Sequence, residues 1–226
     1  MKIDIFNNHD GINKHAFLNW RFTFKDRPSL FDTMSEAYYE STNILLIECI
    51  NDNSDKKADS LIFPILFSLN HCIELRLKSI IAYFYLLESD NDHISNIKNN
   101  PFSSHNISEL RSIVVKLLNH TNLYKIEKDL KRFKQTNSYI SQLNEYQIFK
   151  ISPHMDFSRY PMNKSEKTYF YAETYKNVTI SLTNLKEIFS LVADELNGLY
   201  YQLEYIHELK KESDAIELEI MNQYQE

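Results

Sequence analysis

Between Phe63 and Leu87 the sequence FPILFSLNHCIELRLKSIIAYFYLL carries His71, Glu74 and Lys78 at i, i+3 and i+7 within an otherwise apolar run, with Arg76 close by. At 100° per residue the three fall on one side of a helix. Glu74 precedes Lys78 by four residues, the favourable order for a helical ion pair. Two readings stand. The stripe is a solvated face whose pair adds about 0.2–0.5 kcal/mol, or it is a set of groups held for chemistry, since unpaired buried charge is costly. An imidazole beside a carboxylate serves as general base or acid, and an ammonium holds an anionic oxygen.

Two further pieces carry chemistry. His105 stands just before Asn106, where it is either a surface loop residue or a second imidazole brought to the stripe by a short bundle connection. In DFSRYP, Asp156 to Pro161, Arg159 either clamps a phosphate or carboxylate bidentately or pairs with Asp156 to order the loop. The other histidines show neither HxxxH nor HExxH spacing, so no metal site is expected. There is no GxSxG elbow, and Cys72 has no His signature beyond the His71–Cys72 dipeptide. The 15 tyrosines could stack on bases, although at helical spacing they read first as core and interface residues.

These residues need helices to position them. Two glycines in 226 residues leave no phosphate-cradling loop, and so no nucleotide-cofactor motif, and little material for tight sheet turns. A first helix is expected after Pro28, with Met34, Ala37, Tyr38, Leu45 and Cys49 facing inward. The second should run from Leu61 to Leu87 with Pro64 in its first turn. Its core face would be Ile62, Leu66, Leu69, Ile73, Leu77, Ile80, Phe84 and Leu87. Asn106 with Glu109 predicts a capped helix over Ile107–Asn119. Apolar spacing from Asn122 to Phe149 predicts one helix or two, broken near Thr136–Ser138. KTYFYAETYKNVTISL alternates and suggests a small hairpin. A last helix should open at Asn184 with Glu187, run from Leu185 to Glu212 or beyond, and bury Leu191 among others. The expected fold is therefore all-α, a single antiparallel helical bundle. Residues 1–27 would form an irregular arm, 28–212 the bundle, and 213–226 a helical extension or frayed tail.

The net charge of −6 supplies no general electrostatic grip on nucleic acid, although charge can segregate by face. Cys49 and Cys72 sit in apolar helical contexts without a CxxC pair, which suits a reducing cytoplasm. MKIDIFNNHDG lacks a signal-peptide core, and charges interrupt the longest apolar run, so no membrane span is expected.

Three pieces in order, FSLNHCIELRLKSII, SSHNISELRSIV and DFSRYP, resemble a bacterial group within the HEPN superfamily, small all-helical domains of defence and toxin–antitoxin loci. The matched positions are His71, Glu74, Leu75, Leu77 and Lys78, then His105, Asn106 and Ile107, then Arg159, Tyr160 and Pro161, within a span of roughly residues 30–210. The resemblance implies a site of His71, Glu74, Lys78, His105 and Arg159, with Tyr160 as a ligand contact. It also implies a homo-oligomer, a dimer above all, and action on RNA or a nucleotide. The chain departs from the family in one respect: no Arg is followed by His after four to six residues, so the usual metal-independent ribonuclease motif is missing. A non-catalytic module that assembles with itself or with an operon-encoded protein is the alternative.

Overall fold

The computed structural model describes residues 12–23, 25–88, 100–121, 133–170 and 178–223. Among them are six α-helices: α1 (Arg27–Asn51), α2 (Ala58–Leu87), α3 (Ile107–His120), α4 (Lys134–Leu143), α5 (Gln147–Ile151) and α6 (Leu182–Gln223). The described residues contain no strand. A single antiparallel bridge, Met162 to Thr168, is all they show of the expected hairpin, whose residues 171–177 lie outside the described set. The protein is an all-α bundle built on α2.

Asp26 caps α1 by accepting the Ser29 N–H at 3.0 Å, and Pro28 sits in the first turn. The face that α1 buries is the expected one only in part: Cys49 is buried and Tyr38 and Leu45 pack half-buried against the core, but Ala37 is exposed. Pro28, Ser35, Thr42, Leu46 and Cys49 are buried, whereas Met34 is exposed. Four of these recur at seven-residue spacing and all four are small, which lets α1 lie close against α2. Ser35 Oγ donates to the Cys72 carbonyl at 3.0 Å, and Ser79 Oγ donates to the Pro28 carbonyl at 2.7 Å, so the two helices run antiparallel.

α2 is buried on every side from Cys72 to Phe84. All the expected core positions are buried except Ile62, which packs partly buried against the core. Pro64 lies inside the helix rather than in its first turn, on the exposed side, where Ser60, the residue whose carbonyl it leaves unbonded, is also exposed. This helix is long and apolar enough to cross a membrane, and it is also the helix that α1, α3 and α6 cover.

α6 starts at Leu182 rather than Leu185. Ser181, not Asn184, provides its start, accepting the Leu185 N–H on its carbonyl at 2.9 Å and the Asn184 N–H on Oγ at 3.3 Å. Its 42 residues span about 63 Å. Tyr39 meets Phe189 and Tyr83 meets Tyr200, and Lys210 donates to the Leu87 carbonyl, so α6 opposes α1 and runs in the direction of α2. Leu191 turns outward, and Phe189, Ala193 and Tyr200 are buried in addition to the leucines. Beyond Lys210 every described residue is exposed.

The break expected at Thr136–Ser138 lies instead at Asn144–Tyr146, between α4 and α5, and residues 122–132 fall outside the described set. α4 begins after Phe133 at φ 49°, with no cap of its own. Glu195 of α6 supplies one. Its carboxylate accepts the Gln135 and Thr136 N–H groups at 2.9 Å and the Thr136 hydroxyl at 2.7 Å.

The α1–α2 seam gives the first test. Ser35→Leu should overpack it and cost about 1–3 kcal/mol in urea unfolding, whereas Met34→Ala, on the exposed side, should stay within about 0.5 kcal/mol of the parent. Equal effects would contradict the seam described here.

Candidate functional site

Glu74 is the centre of the polar stripe. It is buried, as is Lys78, so the stripe is not a solvated face. Lys78 Nζ donates to Glu74 Oε1 at 2.8 Å from the next turn of α2. His71 Nδ1 lies 3.3 Å from Oε2. His105 reaches the same carboxylate from the segment before α3, with Nδ1 3.0 Å from Oε1. Its position follows from local capping. Asn106 Oδ1 accepts the Ser108 and Glu109 N–H groups, and Ser104 Oγ bridges the Asn106 N–H and the Glu109 carboxylate. Glu109 thus closes the expected capping box through Ser104 rather than directly.

Burial pushes the Glu74 carboxyl up, but hydrogen bonds from His71 and Lys78, with the Lys78 charge, outweigh it and hold the group at about 2. Glu74 is therefore an anion and can only accept. Each imidazole must then carry its hydrogen on Nδ1, which leaves Nε2 as the basic nitrogen of the neutral ring. The two rings differ in access. The His105 side chain is 64% exposed, whereas that of His71 is 22% exposed. His71 is also enclosed by aromatics, stacked on Phe67 at 5.5 Å and edge-on to Tyr38 at 4.5 Å.

A cleft opens beside Glu74, with His71, His105, Phe67, Asn70, His154 and Met155 in its walls. Asn70 is fixed by its bonds to the Leu66 carbonyl and the Tyr139 hydroxyl, both at 3.0 Å. Arg159 belongs to the rim. Its guanidinium pairs with Asp156 at 2.6 Å and lies 5.4 Å over the Phe67 ring and 5.5 Å over that of Tyr160, which is exposed. Of the two readings of Arg159 the pair with Asp156 is present, and its packing on Phe67 sets it next to the cleft.

The structure thus brings His71, Glu74 and His105 into one cleft and sets Arg159 and Tyr160 at its edge. Lys78 is different. Its ammonium lies behind Glu74, spent on that carboxylate, and cannot grip a phosphate as expected. Its effect is to keep Glu74 ionised. Cys72 is not a nucleophile, since burial pushes its thiol to about 11. Among the described residues no cluster of His, Cys, Asp and Glu fits a metal ion. His154 was not expected from the sequence, where it is one histidine in an irregular loop.

A comparison of the chain with protein-family models, with curated proteins and with solved structures finds no match. The likeness to HEPN domains therefore rests on the three quoted motifs alone; His71, Glu74 and His105 of the first two meet at the cleft, and Arg159 of the third packs on Phe67 beside it.

Glu74→Gln would leave the Lys78 ammonium buried without its counter-charge and should cost about 3–5 kcal/mol in denaturant unfolding. The folded carboxyl sits at about 2 against an ordinary value of 4.5, so its stabilisation is complete above about pH 4.5 and is lost as the pH falls towards 2. At about 1.4 kcal/mol per pH unit this is roughly 3 kcal/mol. Urea unfolding at pH 5 and pH 3 should show about 2 kcal/mol of that loss in the parent and a flatter response in Glu74→Gln.

Proposed function

We propose that this chain is a HEPN-like bacterial protein that acts on RNA without a metal ion, with His105 as general base and Glu74 as its orienting carboxylate. The observation that carries this is the buried, ionised Glu74 bound to Nδ1 of an exposed imidazole. That arrangement fixes the tautomer and presents a lone pair on Nε2 at the surface, as general-base catalysis requires. The pairing stands in for the absent Arg and His motif. Lys78 acts as a positioning residue behind the carboxylate, and Arg159 supplies positive charge at the rim for a phosphodiester. The cleft is small, with about 20 Å³ of free volume, far below the roughly 300–1,000 Å³ of sites that engulf small molecules. A backbone lying across it fits better than a free nucleotide held inside it. The resemblance supports a setting in cytoplasmic antiviral or toxin–antitoxin defence and a homodimer.

Incubating purified protein with a pool of cellular RNAs in chelator tests this. The parent should cleave, and His105→Ala should lose on the order of 10²–10⁴-fold with an unchanged circular dichroism spectrum, because His105 is largely exposed. Equal cleavage by parent and variant would remove His105 from the chemistry.

The exposed end of α6 favours a second reading, a non-catalytic assembly module. Ile216, Leu218, Ile220 and Met221 are each about half exposed there, on a stretch of helix whose described residues are all exposed. On this reading, ending the chain after Glu212 lowers the oligomeric state seen by light scattering. An unchanged mass would leave the end of α6 without that role.

A further inference from the structure

Cleavage of RNA by its own 2′-hydroxyl needs two proton transfers: one from the attacking oxygen, one to the departing 5′-oxygen. His105 accounts for the first. The turn between α5 and Asp156 carries a candidate for the second.

Ser152 and Met155 are buried, with Pro153 and His154 exposed between them. The Met155 N–H donates to the Ser152 carbonyl at 3.0 Å, the Phe157 N–H to Ser152 Oγ at 3.3 Å, and the Ser158 hydroxyl to the Met155 carbonyl at 2.6 Å. Met155 has φ 55°, a left-handed conformation that costs a non-glycine residue about 1–2 kcal/mol. This backbone reversal drives the Met155 side chain into the cleft wall and leaves His154 at the lip of the cleft that also holds His105. Among the described residues the His154 ring has no hydrogen-bond or ion-pair partner. A strained, doubly anchored turn that presents an unengaged imidazole to a cleft is how positioned acids are held. His71 is the weaker alternative, because it is bound to Glu74 and walled by aromatic rings.

Resting on the ribonuclease reading above, we propose that His154 is the general acid of the same reaction. His105 Nε2 takes the proton of the ribose 2′-hydroxyl as O2′ forms its bond to phosphorus. The bond from phosphorus to O5′ breaks, and the protonated His154 gives its proton to O5′. The products are a 2′,3′-cyclic phosphate and a 5′-hydroxyl, with no oxidant, reductant or water consumed.

A general acid is needed only when the leaving group is poor. The full-length parent, His154→Ala and His105→Ala would therefore be assayed on a dinucleoside monophosphate and on a ribonucleoside 3′-(4-nitrophenyl phosphate). His154→Ala should lose about 100-fold or more on the first and stay within about threefold of the parent on the second, where nitrophenolate departs unaided. It should also lose the alkaline limb of the pH–rate profile, since that limb reports deprotonation of the acid. His105→Ala should be impaired on both substrates. Equal loss by His154→Ala on both would make it a positioning residue, and no loss on either would make it a bystander; each result overturns the proposal. If His105→Ala cleaves as the parent does, or the parent cleaves neither substrate, the ribonuclease reading falls as well.

Discussion

The structure depends on placing three charges within a helix that has no exposed side at that point. Glu74, Arg76 and Lys78 lie in the stretch of α2 that is buried all round. Isolated charges there would cost several kcal/mol each, so the neighbouring elements must meet them. Glu74 is met by Lys78 from its own helix and by His105 from the entry to α3. Arg76 is met by Asp32 and Glu36 of α1, and its guanidinium lies 4.8 Å over the Tyr200 ring of α6. Two polar nodes thus fix the position of three neighbouring elements against α2. Apolar burial alone would leave those registers poorly specified, because most aliphatic contacts survive a small slide.

The node at Glu74 differs from the one at Arg76 in its access to water. Arg76 is closed over by its two carboxylates and a ring, and reads as structural. Glu74 passes its charge outward through an imidazole that is mostly in solvent. A carboxylate held strongly ionised fixes the tautomer of the imidazole it binds and holds the ring in place. Lys78 works against leakage in the other direction, since a proton on Glu74 would break its own ion pair. The acidic net charge sits outside this arrangement. With a net charge of −6, contact with a phosphodiester would rely on local donors such as Arg159 rather than a broad basic field.

The core of α2 was legible because large aliphatic residues at helical spacing leave little ambiguity. The face of α1 was legible only in part, through Tyr38, Leu45 and Cys49. Periodicity arguments look for large apolar residues, and this seam is made by Pro28, Ser35, Thr42 and Cys49, whose value is that they are small. The start of α6 was misplaced because Asn184 and Glu187 imitate a capping box, whereas the cap comes from Ser181. The cap on α4 could not have been read at all, as Glu195 lies about sixty residues away in sequence. In the site, the spacing of His71, Glu74 and Lys78 showed which groups meet but not that Lys78 faces inward. His154 was invisible for a related reason, since its place depends on a left-handed Met155 that no residue preference announces.

The partners of Arg76 also bear on the order in which the chain can be built. Its two carboxylates come from 44 and 40 residues upstream, already synthesised when Arg76 appears. The ring that covers it comes from α6, more than a hundred residues later. An α1–α2 hairpin emerging from a ribosome can thus neutralise its most awkward cation at once, and it needs the last helix only to exclude water. The early hairpin presents a finished electrostatic surface and an unfinished apolar one, which suits a nucleus on which the remaining helices dock.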